Sequence, residues 1–342
     1  MFGRSSGKPI RVQVFAKTDL GKTRDHNEDR FLVADLTRGE ASLQAAIRSH
    51  EVGERGSLFI VADGMGGAAA GELASEMATE TIYGQMVRSW GQEPEATPQR
   101  FAYRLKEAVE VANGHIHAYA KAHPEVRGMG TTTTAVGLLG EHFYLTQVGD
   151  SRAYLIRDGQ AVQLTRDQSL MQRLVEAGEL TEEEAAKSER RNIILQALGP
   201  DARVKVDLTH QEVRRGDILV LCSDGLSGQV KKDEIAEIAL RERDLQAACD
   251  KLIALANERG GPDNITVVIA RFEGEGLRPA DAAEEVGHHV YPLIDTETST
   301  EPVPVYTGSR PPVRARRGRW RVIVLLVAAA AAAALYLTTR SP

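Results

Sequence analysis

At 342 residues, 42% hydrophobic and 26% charged, the chain is long enough for one large domain or two ordinary ones, with a substantial buried core. A formal net charge of −6, its basic residues mostly interspersed with acids, argues against nucleic-acid binding. Two cysteines at no metal-ligand spacing, Cys222 and Cys249, argue against a secreted disulfide framework, and the charged N-terminus is followed by no apolar run of a signal peptide.

Taken in chain order, residues 1–272 read as a folded domain. Period-two and short apolar runs predict strands over 13–18, 30–35 and 58–62, then helices over about 71–88 and from Thr97-Pro98 onward. Leu73, Met77, Thr81 and Ile82 share one face of the first helix; Phe101, Leu105, Val109, Ala112 and Ile116 recur at helical spacing on the second. Strands follow over 132–139, 143–149, 152–157 and 160–164, with glycine turns at Gly140 and Asp158-Gly159 that favour antiparallel hairpins. Short helices over 168–177 and 181–188 come next, the second opened by a capping box at Thr181–Glu184. Strands over 204–210, 217–222 and 264–272 enclose a last helix pair at about 231–241 and 244–258. Strands in groups and helices in pairs predict an α+β fold of antiparallel sheets covered by helical layers, and strict β-α alternation is absent.

After Phe272 the periodicity stops and Pro, Glu, Thr and Gly dominate, so 273–319 reads as a disordered linker. Residues 322–337 then carry no charge; with Trp320 and Thr338 they make a short transmembrane candidate over 320–338. Trp320 and Tyr336 stand near its ends, and Arg310, Arg314, Arg316, Arg317, Arg319 and Arg321 crowd its N-terminal side, which predicts a cytoplasmic catalytic domain on a single-pass C-terminal anchor.

Chemistry is carried by where the acids fall. Asp63, Asp150, Asp224 and Asp263 each stand at the end of an apolar strand run beside Gly or another small residue, and Glu28-Asp29 directly precedes a strand. Each alone is an ordinary turn residue. Together, several carboxylates at sheet rims with no His or Cys among them point to hard divalent cations, Mg²⁺ or Mn²⁺, because converging negative charges need neutralisation. Two such ions about 3.5–4 Å apart lower the pKa of a shared water and stabilise in-line attack on phosphorus. Arg24, four residues before Glu28, adds a guanidinium that can grip two phosphate oxygens at once.

The segments TDLGKTRDHNEDR, VADGMGG, GMGTTTTAV, VGDSRAYLIRDG, CSDGLSG and GPDNITVV, in that order over about residues 12–272, resemble the motifs of the type 2C (PPM) metal-dependent protein serine/threonine phosphatases of bacteria. The resemblance implies a four-layer α-β-β-α sandwich of two antiparallel sheets flanked by helix pairs, with a dinuclear site at one edge. It implies that Asp63 bridges two Mn²⁺ or Mg²⁺ ions, that the Gly64 carbonyl ligates one, and that Asp224 and Asp263 ligate the other. Glu28 and Asp29 are similar to residues that hold metal-bound waters, Arg24 to the phosphate-binding arginine, and Asp150 to a ligand of a third, looser ion. Residues 169–198 look like the flap subdomain. Eukaryotic members often carry a histidine where this chain has Met65, a side chain with no proton to donate.

The function expected is hydrolysis of phosphoserine and phosphothreonine on cytoplasmic proteins, opposing a membrane-associated serine/threonine kinase. A membrane-tethered, catalytically silent phosphoprotein-binding module and a small-phosphoester hydrolase are the alternatives. Retention of every acidic position and of Arg24 argues against silence.

Overall fold

A computed structural model of the chain describes residues 8–43, 48–281 and 284–293. The chain lays down β1 (Arg11–Asp19), β2 (Asp29–Asp35), β3 (Glu40–Ser42), β4 (Arg48–Glu51) and β5 (Ser57–Met65) before the helices α1 (Ala68–Gln85) and α2 (Pro98–Ala122). Strands β6 (Gly130–Thr131), β7 (Thr133–Leu139), β8 (His142–Val148), β9 (Arg152–Arg157) and β10 (Gln160–Gln163) follow, then the short helices α3 (Leu170–Glu176) and α4 (Glu182–Lys187). The remainder is β11 (Asp207–Glu212), β12 (Ile218–Cys222), α5 (Asp224–Ser227), α6 (Lys232–Arg241), α7 (Leu245–Glu258), β13 (Ile265–Glu273) and β14 (His289–Val290).

Two antiparallel sheets result. One runs β10-β9-β12-β13-β1-β4, the other β14-β11-β8-β7-β5-β2-β3 with β6 paired to β5. Side-chain alternation explains why both sheets are apolar on both faces. In β5, Leu58 and Ile60 face α1 and α2, while Phe59 and Val61 face the opposite sheet. In β12, Leu219 and Leu221 join that inter-sheet core, and Ile218, Val220 and Cys222 pack against α6 and α7. The three cores between four layers are the α-β-β-α sandwich that the resemblance implies.

Local chemistry sets the helix ends. Thr97 caps α2, accepting from the Arg100 amide at 3.4 Å, and Pro98 occupies its first turn. Thr181 and Glu184 form the reciprocal capping box that starts α4. The first predicted helix continues past Gln85 as a π turn, Met86–Trp90, which seats the fully buried Trp90 so that its indole N–H donates to the Arg55 carbonyl at 2.9 Å.

Two expectations are corrected. The strand expected over 204–210 pairs over Asp207–Glu212, because its partner β8 ends at Val148 and the register places Asp207 opposite Gln147. The linker expected from residue 273 does not begin there. Leu277 is buried in the inter-sheet core, Tyr291 packs on Tyr144, and β14 adds to β11. Glu284 accepts from the buried Arg214 (Nε at 2.7 Å) and reaches Arg157, which pairs in turn with Asp217. This strap is polar in composition because an ion network, rather than apolar periodicity, fastens it. The rest of the expected linker and the 320–338 helix lie outside the described residues; among those described, no helix is long and apolar enough to cross a membrane.

Truncation after residue 275 removes Leu277 from the inter-sheet core and takes Glu284 away from Arg214 and Arg157, which keep Glu212 and Asp217. It should therefore destabilise the domain by about 3 kcal/mol relative to truncation after 293, chiefly through the lost burial of Leu277. Denaturant melts of the two fragments measure this, and equal midpoints would show the strap to be dispensable.

Candidate active site

Both sheets deliver acids to one rim. Asp29 opens β2 and lies directly opposite Asp63 near the end of β5, so their side chains share one face. From the other sheet, Asp224 follows β12 and Asp263 precedes β13, while Asp150 sits in the turn that passes from β8 of one sheet to β9 of the other. Arg24, Glu28, Asp63, Gly64, Asp150, Asp224 and Asp263 line one cavity of about 200 Å³. Asp29, fully buried, stands behind it. Every position expected from the sequence is thus brought to one place.

Small polar side chains hold the rim together. Asn264 accepts from the Glu28 amide at 2.8 Å and donates to the carbonyls of Leu20 and His26 at 3.0 and 2.9 Å, which fixes the loop carrying Arg24. Ser223 and Thr266 each donate to Asp29 Oδ2 at 2.7 Å. Thr132 and Thr131 clasp the Asp63 backbone. At Gly64 a side chain is impossible: a Cβ would stand 2.2 Å from the Gly71 carbonyl oxygen and 2.7 Å from that of Glu28. Asn264, Thr132, Asn192 and Ile194 line the cavity without having been anticipated individually. The last two belong to the segment expected to be a flap, and a bridge between Ser169 and Ile194 closes its base.

The electrostatics are those of an acid cluster short of positive charge. Burial first, then the neighbouring aspartates, pushes Asp29 up to about 7 and Asp150 up to about 8, drives Asp63 well above the carboxylate range and raises Asp224 in the same way. Arg24 is the cation on the cavity wall: its Nη2 meets Asp263 Oδ2 at 2.8 Å while the side chain stays half exposed.

Asp29 Oδ1 and Asp224 Oδ1 are buried with no hydrogen-bond partner. Unsatisfied anionic oxygens, mutual repulsion and an all-oxygen donor set fit hard divalent cations. Among the described residues no three acidic or imidazole side chains already enclose a point in space. Ligation here must therefore be shared with backbone carbonyl and water, as hard ions that keep part of their hydration allow.

Carboxylates poised for hard cations, beside a guanidinium open to solvent, make up the chemistry of a phosphoester hydrolase. The chain belongs to the protein phosphatase 2C family, whose model matches residues 38–264. It is 36% identical over 254 residues to the serine/threonine phosphatase stp of Listeria innocua, covering 74% of this chain and 93% of that one. It is 38% identical over 255 residues to the protein phosphatase PstP of Mycobacterium tuberculosis, covering 75% of this chain and 44% of that one. The crystal structure of the Mycobacterium tuberculosis phosphatase PstP/Ppp superposes with a TM-score of 0.64 at 36% identity, over 77% of this chain and 99% of that one. A PstP catalytic domain in complex with two manganese ions gives 0.62 at 36% identity, over the same 77% and 99%.

A carboxyl whose folded-state pKa is raised favours folding while protonated. Its contribution is complete below about pH 4 and is lost as pH rises through about 7 for Asp29 and about 8 for Asp150. Metal-stripped protein should accordingly lose this stability between those limits, and Mn²⁺, which needs ionised acids, should raise the melting midpoint more at pH 8 than at about pH 5. A Mn²⁺-induced shift independent of pH would contradict the cluster's electrostatics.

Proposed function

We propose that this protein hydrolyses phosphoserine and phosphothreonine in proteins with two Mn²⁺ or Mg²⁺ ions, using Asp63, the Gly64 carbonyl, Asp224 and Asp263 as ligands. Asp150 is assigned to a third, looser ion. One observation carries the reading: Asp29 and Asp63 oppose each other in register, behind and within a cavity that exposes Arg24. Bound there, the ions would neutralise the acids, activate water and offset charge developing at phosphorus.

The chain's own residues do the rest. Arg24 commits Nη2 to Asp263 and keeps its other donors free to hold phosphate oxygens. Asp29 is held by two hydroxyl donors on Oδ2, so Oδ1 is left to orient a water; Glu28, on the cavity wall, has the same role. Met65 lines the cavity but has no proton to give, so water or another residue protonates the leaving alkoxide.

Mn²⁺-dependent hydrolysis of p-nitrophenyl phosphate and of phosphoserine peptides tests the assignment. Asp63→Asn and Asp224→Asn should each fall to near background while remaining folded. Arg24→Ala should raise KM about tenfold, more than it lowers kcat, through loss of a charge-assisted contact. Normal turnover in Asp224→Asn would remove the metal reading, and activity on p-nitrophenyl phosphate alone would favour a small-phosphoester hydrolase.

We further propose that residues 320–338 anchor the protein in a membrane with the phosphatase domain in the cytoplasm, opposing a membrane-associated serine/threonine kinase. The uncharged run and the arginines before it support the anchor and its orientation. The full chain should remain with membranes through a high-salt wash and be released by detergent; release by salt would assign the attachment to the arginines alone.

A further inference from the structure

At the edge of the second sheet, remote in chemistry from the acid rim, the strap and β11 enclose a cavity of about 230 Å³ lined by His210, Gln211, Glu212, Glu284, Glu285 and His289. His210 and His289 are direct cross-strand partners on β11 and β14, so their rings share a face, with centroids 6.4 Å apart. Tyr291 backs His210 edge-on at 5.3 Å. Among the described residues neither ring has a hydrogen bond, and Glu285 has no ion-pair partner, whereas Glu212 and Glu284 are both committed to Arg214. Two half-buried imidazoles without hydrogen-bond partners thus flank one space, beside a carboxylate with no ion-pair partner.

From this juxtaposition we infer that His210, His289 and Glu285 form a binding site for a borderline divalent transition-metal ion such as Zn²⁺, which fastens the strap to the sheet. Two imidazoles and a carboxylate are the donors such an ion prefers, unlike the all-oxygen acid cavity. With metal–nitrogen distances of about 2 Å, one ion fits between ring edges at this separation once the imidazoles turn inward. That turn and a swing of Glu285 are required, since among the described residues no three such side chains converge already. The site has a structural role to fill: β14 contributes only the Thr209–Val290 and His210–His289 pairs to the ladder. An ion bridging the two strands would supply a tie where the ladder is only two pairs long.

The test uses the full chain in detergent, purified without a polyhistidine tag and saturated with Mg²⁺, then titrated with Zn²⁺ against a fluorescent zinc chelator. One Zn²⁺ should bind at roughly micromolar affinity and raise the thermal midpoint. His210→Asn and His289→Asn should each weaken binding about tenfold or more while Mg²⁺-dependent hydrolysis without zinc is unchanged, and Asp224→Asn should keep the zinc site. Should a histidine variant fold poorly, zinc should still protect His210 and His289 of the unaltered chain, but not His123, from acylation by diethyl pyrocarbonate. No zinc uptake under saturating Mg²⁺, uptake indifferent to both histidines, loss of uptake in Asp224→Asn, or absence of protection would each overturn the inference.

Discussion

The constraint on which the rest of the molecule depends is the placement of like charges against one another. Asp29 and Asp63 are cross-strand neighbours, and such a pair of carboxylates is destabilising wherever both are ionised. Asp224, Asp263 and Asp150 add to the same field. A fold can hold this arrangement only if something stronger dictates the backbone. Here three apolar cores do so, and the acids lie just past or at the ends of strands whose interior residues are fully buried. The sandwich stores electrostatic repulsion at its rim, and cations relieve it.

Holding the acids also requires that the loops between strands be rigid. That task falls to small neutral side chains. Asn264 ties three backbone segments with one carboxamide, and Ser223 and Thr266 spend their hydroxyls on a single oxygen of Asp29. Neutral donors suit this work, since a cationic partner would cancel the charge that the site needs. Glycine contributes by absence: at Gly225 a Cβ would stand 1.9 Å from the Asn264 carbonyl oxygen, so the loop bearing Asp224 can lie against the loop bearing Asp263.

This division of labour explains what was legible in the sequence. Strands such as β12 and β13 are long apolar runs, and a carboxylate at the end of each is visible as a break in pattern, so Asp63, Asp224 and Asp263 could be found by inspection. Asp150 ends such a run as well, whereas Arg24 needed the family motifs to be distinguished from a surface residue. Asn264, Thr132 and Ser223 act through hydrogen bonds to chain segments far away in sequence, and no local pattern marks such a role. The short strands β3, β4, β6 and β14 span two to four residues, too few for a period to show. The strap was misread because ion pairs from Glu284 to Arg214 and Arg157 look, in sequence, like the composition of a linker.

The Arg24–Asp263 pair connects substrate binding to the charge of the site. The guanidinium stands 2.8 Å from Asp263, and that hydrogen bond first of all raises its pKa further above the ordinary arginine value. On the proposed ligand set, Asp263 also serves a cation. The two positive partners of one carboxylate repel each other, and that repulsion is smallest when the guanidinium turns toward the cavity mouth, where half of its side chain already lies in solvent. A phosphate dianion arriving there meets both cations at once and removes the repulsion between them. Substrate binding and metal binding then reinforce each other through a single aspartate. An arginine suits this position better than a lysine, because its planar fork can keep one N–H on Asp263 while the others reach phosphate.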